Sequence, residues 1–116
     1  MRPRDPSAAI EDAVLAGEAI ASFLGDATAR EYASNRLLAS AVERQFEILG
    51  EALCRALRAN PLLPAHIPEI HEVIGFRNVL AHGYDVVDDE TVYNNARQEL
   101  PAMIGRLSAL LDEDEV

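Results

Sequence analysis

The sequence predicts an all-α fold, an antiparallel bundle of four to five helices, and three observations carry that prediction. Apolar residues recur at i, i+3, i+4 spacing along most of the chain. Start and stop residues bracket each of these runs. Aromatic residues are only 5% of the chain, and β-branched residues do not alternate with polar ones as strands require. With 116 residues, 49% of them hydrophobic, there is enough material for one core and too much for disorder. We read residues 1–116 as a single domain with a frayed N-terminus over 1–4 and an acidic tail over 112–116.

The first helix opens at Asp5-Pro6, an N-cap followed by proline at the first helical position. Ile10, Ala13, Val14, Gly17, Ile20, Ala21 and Leu24 then repeat at helical spacing, and Gly25 stops the run. Thr28-Ala29-Arg30-Glu31 has the form of a capping box for a short turn. The second helix starts near Ser34 or Asn35 and ends about Ala59, before Asn60-Pro61. Its apolar residues, from Leu38 through Phe46 and Leu49 to Leu57, fill nearly half the circumference, more than the stripe of about 100° that one contact needs. That width suggests two contacts, one internal and one with a partner chain. Arg36, Glu43, Arg44, Glu47, Glu51, Arg55 and Arg58 occupy the other side as a solvated ion-pair face. Pro61, Pro64 and Pro68 punctuate a loop, and the third helix follows from about Pro68 to His82, with Gly83 at C′. The fourth starts at Asp88 or Asp89 and runs through Val92, Ala96, Leu100, Met103, Ile104, Leu107 and Leu110, with Pro101 expected to kink it.

Charge restricts the partners. Ten arginines, no lysine and 20 acids give a net charge of −10. Asp85, Asp88, Asp89, Glu90 and residues 112–115 supply eight of those acids, and without them the chain carries −2. A broad basic footprint for nucleic acid is therefore absent, and any phosphate site must be a local arginine site. One cysteine, Cys54, and three histidines make a poor metal set and allow no internal disulfide. No metal and no cofactor are expected. Met1-Arg2-Pro3-Arg4-Asp5 leads into no unbroken apolar stretch, so no signal peptide is predicted, and no run approaches the roughly 20 residues of a membrane span. A cytoplasmic protein is the expectation.

The third helix carries the chemistry. Ile70, Val73, Ile74, Leu80 and Ala81 define its apolar stripe, and Arg77 falls in the middle of it. Burying an unpaired guanidinium is costly. Either Arg77 pairs with a carboxylate of the second helix, Glu47 or Glu51, or the stripe opens there into a cleft or a subunit interface. Asn78 and His82, four apart, share a face about 100–140° away from Arg77. His82 in the last turn suits the helix dipole as a cation, or serves as a general acid–base. Tyr84 fits the hydrophobic contact that follows a C′ glycine. His66 and His71 read as loop and solvated helix residues.

Arg77-Asn78-x3-His82-x-Tyr84 resembles the Arg-x4-His-x-Tyr motif of the HepT-like toxins, which belong to the HEPN nucleases. Ala41-Val42-Glu43-Arg44-Gln45-Phe46-Glu47-Ile48-Leu49-Gly50-Glu51-Ala52 resembles the second-helix signature of the same family. Ile67-Pro68, Ile74-Gly75-Phe76-Arg77-Asn78 and Leu100-Pro101 follow in its order, so the resemblance covers residues 5–111. It departs at Glu69, where the family often has an aromatic residue, and in the acids after Tyr84. The resemblance implies a HEPN-like bundle and a metal-independent endoribonuclease toxin that forms a homodimer with one composite cleft. It implies Arg77 and His82 as catalytic residues with Asn78 in support, RNA as substrate, and a MntA-like nucleotidyltransferase antitoxin that adds AMP to Tyr84. The rival expectation is a non-catalytic dimeric module that docks such a nucleotidyltransferase, which a charge of −10 favours.

Overall fold

The structure, a computed structural model, describes residues 6–82 and 87–114. These are helical throughout apart from the connections, in an elongated bundle of 44 × 28 × 26 Å. Helix α1 (Pro6–Leu24) buries Ile10, Ala13, Val14, Ile20 and Leu24 along one side. It ends at Gly25, whose φ of +49° is the left-handed conformation that a side chain resists. The capping box forms: Thr28 Oγ1 accepts from the Glu31 N–H at 3.1 Å and Glu31 Oε1 accepts from the Thr28 N–H at 3.0 Å. It opens α2 (Ala29–Ser34), too short to be stable alone, which is held by the fully buried Tyr32.

Helix α3 (Arg36–Ala59) is the centre of the bundle. Asn35 caps it, its Oδ1 accepting from the Leu38 N–H at 3.0 Å. One side packs on α1 and another on α4, so both contacts implied by the wide apolar stripe are satisfied within the chain. The stripe therefore gives no argument for a partner chain. The charged side is also less solvated than its sequence suggests. Arg55 reaches across to Asp12 of α1 at 3.2 Å, and Glu43, beside Arg36 at 3.7 Å, is mostly buried.

Leu63 and Ile67 anchor the proline-rich connection, which includes a 3-10 turn (Leu63–Ala65). Helix α4 (Ile70–His82) begins two residues later than expected. The Ile70 N–H bonds to Ile67 O in a tight turn, and the first full α-helical bond runs from the Val73 N–H to Glu69 O. Pro68 thus belongs to the turn ahead of the helix. Gly83 and Tyr84 lie outside the described residues, as do residues 1–5.

Asp88 caps α5 (Asp89–Asn94), accepting from the Glu90 N–H and the Thr91 hydroxyl, both at 3.1 Å. The expected single fourth helix is interrupted by a π-helical turn, Asn95–Glu99, before α6 (Leu100–Asp114). Pro101 has no N–H for the carbonyl of Arg97 and its ring crowds that carbonyl. The disturbance is absorbed as the wider π turn just ahead of the proline. The acidic segment over 112–114 continues α6, behind Leu107, Leu110 and Leu111, which pack on the core. α6 lies on α1, where Gly17 admits the Ile104 side chain: a Cβ at Gly17 would stand 2.5 Å from Ile104 Cγ1. No helix among the described residues is long and apolar enough to cross a membrane.

Candidate active site at the α3–α4 crossing

Phe46 and Gly50 form the surface of α3 on which α4 rests. Phe46 meets Phe76 edge to face, with ring centroids 5.1 Å apart. One turn on, a Cβ at Gly50 would overlap Arg77 Cβ, stand 2.8 Å from Arg77 Cγ and come within 3.5 Å of Val73 O. The Arg77 side chain therefore leaves its helix directly over bare α3 backbone.

This contact explains how an arginine occupies the apolar stripe. Its stem is covered while its head departs, and the residue as a whole is half-buried. Nη1 donates to Asn78 Oδ1 at 2.9 Å. Neither Glu47 nor Glu51 pairs with it: Glu47 binds Arg44 at 3.2 Å, and Glu51 is exposed. Among the described residues no carboxylate neutralises Arg77. A guanidinium has five donors in a planar fork, and with one given to Asn78 the others are available to an oxyanion.

Asn78 is thereby joined to Arg77, and no hydrogen bond among the described residues joins it to His82. His82 is exposed at the last residue of α4. Five residues of helix place it about 7.5 Å along the axis from Arg77 and about 140° around it. The structure thus brings Arg77 and Asn78 together and sets His82 apart on the same helix. Tyr84, two residues beyond, falls outside the described residues. His66 and His71 are exposed, as expected.

A concavity among the described residues lies apart from Arg77, Asn78 and His82. A cleft of about 340 Å³ opens between α4 and the π turn, floored by Phe46, Val73, Phe76, Leu100 and Met103. Glu69, Glu72 and Glu99 edge it, which makes it a poor place for phosphate. Arg106 holds Glu69 from both nitrogens, at 2.8 Å from Nη1 to Oε1, and this bond pulls the Glu69 carboxyl below the usual range. No group of three or more His, Cys, Asp or Glu side chains among the described residues is placed to hold a metal ion.

Sequence reasoning passed over Gly50 as a site residue, although a glycine in an apolar stripe, one turn after Phe46, is the available signal for close helix approach. It also missed a polar knot on the π turn. Tyr93 Oη donates to Ala27 O at 2.6 Å, Arg97 Nη2 donates to the same carbonyl at 2.7 Å, and Arg97 Nε donates to Tyr93 Oη at 3.1 Å. No local pattern announces a partner 70 residues away.

Residues 15–110 match the family model described as Ribonuclease HepT-like. Among curated proteins, the chain is 33% identical over 101 residues to "Putative RNase MJ0125" of Methanocaldococcus jannaschii, covering 87% of this chain and 86% of that one. It is 29% identical over 115 residues to "Putative RNase MJ1216" of the same organism, covering 99% and 94%. No solved structure matches.

Proposed function

This chain belongs to the HepT-like ribonuclease family, and from that membership we propose that it is a metal-independent endoribonuclease toxin working through Arg77 and His82. The observation that carries the reading is Arg77: a guanidinium in an apolar stripe, with no carboxylate partner among the described residues and its fork turned outward beside Asn78.

RNA brings its own nucleophile. His82 takes the proton of the ribose 2′-OH, the O2′–P bond forms and the P–O5′ bond breaks. The O5′ leaving group takes a proton from an imidazolium. The products are a 2′,3′-cyclic phosphate and a 5′-hydroxyl. Arg77 neutralises charge on the phosphorane-like transition state, and Asn78 supports it by orienting the guanidinium. Arg77 and His82 diverge around α4, which favours a homodimer whose composite cleft takes these residues from two copies. Tyr84 is the proposed AMP acceptor for a MntA-like nucleotidyltransferase antitoxin. AMP there adds bulk and negative charge two residues from His82 and repels the scissile phosphate. The net charge of −10 favours a second reading, in which the same dimer only docks a nucleotidyltransferase.

The test is RNA cleavage in excess EDTA by the purified chain, with Tyr84 shown bare by intact mass, beside His82→Ala and Arg77→Ala. Wild type yields cyclic phosphate ends, and each variant loses about 10²-fold or more. Equal cleavage by His82→Ala removes it from the chemistry. No cleavage by bare wild type turns the assignment to the docking module.

A further inference from the structure

We propose that Gly50 is a positioning residue for Arg77: the missing side chain on α3 is what aims the guanidinium. This rests on the role given to Arg77 above. A glycine in the middle of a 24-residue helix destabilises it relative to alanine, so helix formation alone favours a side chain at this position. The position is also inside the buried surface of α3, where a methyl group would ordinarily add to the core. The space is instead taken by the Arg77 stem. A Cβ at Gly50 would overlap Arg77 Cβ, crowd Cγ at 2.8 Å and approach Val73 O at 3.5 Å. The atoms met first are the root of the side chain and not a flexible tip, so no rotamer change relieves the overlap. Either α4 moves away from α3 or it rotates about its axis, and both re-aim the guanidinium.

The rest of the interface makes that movement selective. Phe46 and Phe76 hold α4 one turn away on the same two helices, and Ile70 and Leu80 are buried on either side of Arg77 along α4. These contacts keep α4 docked while the arginine is displaced locally. Asn78, the next residue along α4 and exposed, holds the other end of the side chain by its 2.9 Å bond to Nη1. Gly50 thus fixes the stem and Asn78 the head. A ground-state misplacement of about 1 Å costs a transition-state contact on the order of 10²-fold.

Gly17 is the internal control. It admits a neighbour in the same way, on α1, but that neighbour is the flexible end of the Ile104 side chain on α6, away from Arg77.

The experiment compares steady-state cleavage of an RNA oligonucleotide by wild type, Gly50→Ala, Gly17→Ala, Arg77→Ala and the Gly50→Ala/Arg77→Ala double variant, each checked for helical content by circular dichroism. Gly50→Ala lowers kcat at least tenfold and leaves KM within about threefold, as expected for a contact made in the transition state. Gly17→Ala stays within about twofold of wild type, the size of change ascribed to a site that shares no partner with Arg77. The double variant is no slower than Arg77→Ala, since a guanidinium already removed cannot be misaimed. Full activity in folded Gly50→Ala, or losses that multiply in the double variant, overturns the proposal.

A second measurement needs neither a folded variant nor cleavage. In wild type, NMR relaxation of the arginine Nε–H groups gives Arg77 a clearly higher order parameter than the exposed Arg58. If Arg77 is as mobile as Arg58, Gly50 does not position it, whatever the activity. If Arg77 is rigid and wild type cuts no RNA, the ribonuclease reading fails and the positioning stands.

Discussion

An arginine in the middle of an apolar stripe is a contradiction that only a neighbour can resolve, and the neighbour is a residue with no side chain. The sequence places Arg77, Asn78 and His82 on one helix and marks Arg77 as out of place. It cannot say that Gly50 lies beneath it, because the two are 27 positions apart and belong to different periodicities. The divergence of Arg77 from His82 is legible, since helical geometry alone supplies it. The bond from Arg77 to Asn78 is not, because adjacent residues point away from each other unless a long side chain turns back. Tyr32 is a second residue whose environment is hidden from the sequence. Its ring is wholly buried and its hydroxyl has no hydrogen-bond partner among the described residues. Burial, then the carboxylates of Glu43 and Asp89, push its phenol far above the ordinary range. An orphaned hydroxyl carries a desolvation penalty with no return. Tyr32→Phe is therefore neutral or stabilising by up to about 1 kcal/mol in urea denaturation. A loss greater than about 1 kcal/mol would mean that the hydroxyl is bonded in solution.

Elements were more legible than contacts. Every helix start that uses a side-chain cap, at Thr28, Asn35 and Asp88, falls where the cap residues stand in the sequence. The failures have physical causes. Pro68 was given a helical position that a preceding turn claims, and the width of the α3 stripe reflects packing on both α1 and α4 within the chain. Pro101 signals a disturbance but not its form, because a kink and a π turn relieve the same clash. The π turn matters for what it carries. Arg97 lies over the Tyr93 ring, 5.2 Å from its centroid, and both side chains end on Ala27 O between α1 and α2. Arg97→Met removes charged hydrogen bonds and costs about 2 kcal/mol, whereas Tyr93→Phe leaves Arg97 on the carbonyl and costs about 1 kcal/mol. Chemical denaturation of the two variants side by side checks the order, and a reversed order would place the weight on the phenol.

At the scale of the molecule, net charge and proposed substrate oppose each other. A surface at −10 repels RNA, and the phosphate contacts assigned here are one Arg77 per copy. Affinity then depends only weakly on salt. For the His82→Ala variant bound to single-stranded RNA, log K against log salt has a slope between about −0.7 and −1.4, the value for one or two phosphates. A slope steeper than about −3 would require more phosphate contacts than Arg77 supplies. The docking of α6 on α1 through Gly17 and Ile104 has a further consequence, in the order of synthesis. The ribosome makes α1 first, then the helices that carry the site, and the helix that covers α1 last. At about 5–20 residues per second, Gly17 waits roughly 4–17 s for Ile104. Helix α4 leans on α3, α3 on α1, and α1 on α6. The nascent bundle closes only once α6 has been made, after every other helix among the described residues has left the ribosome.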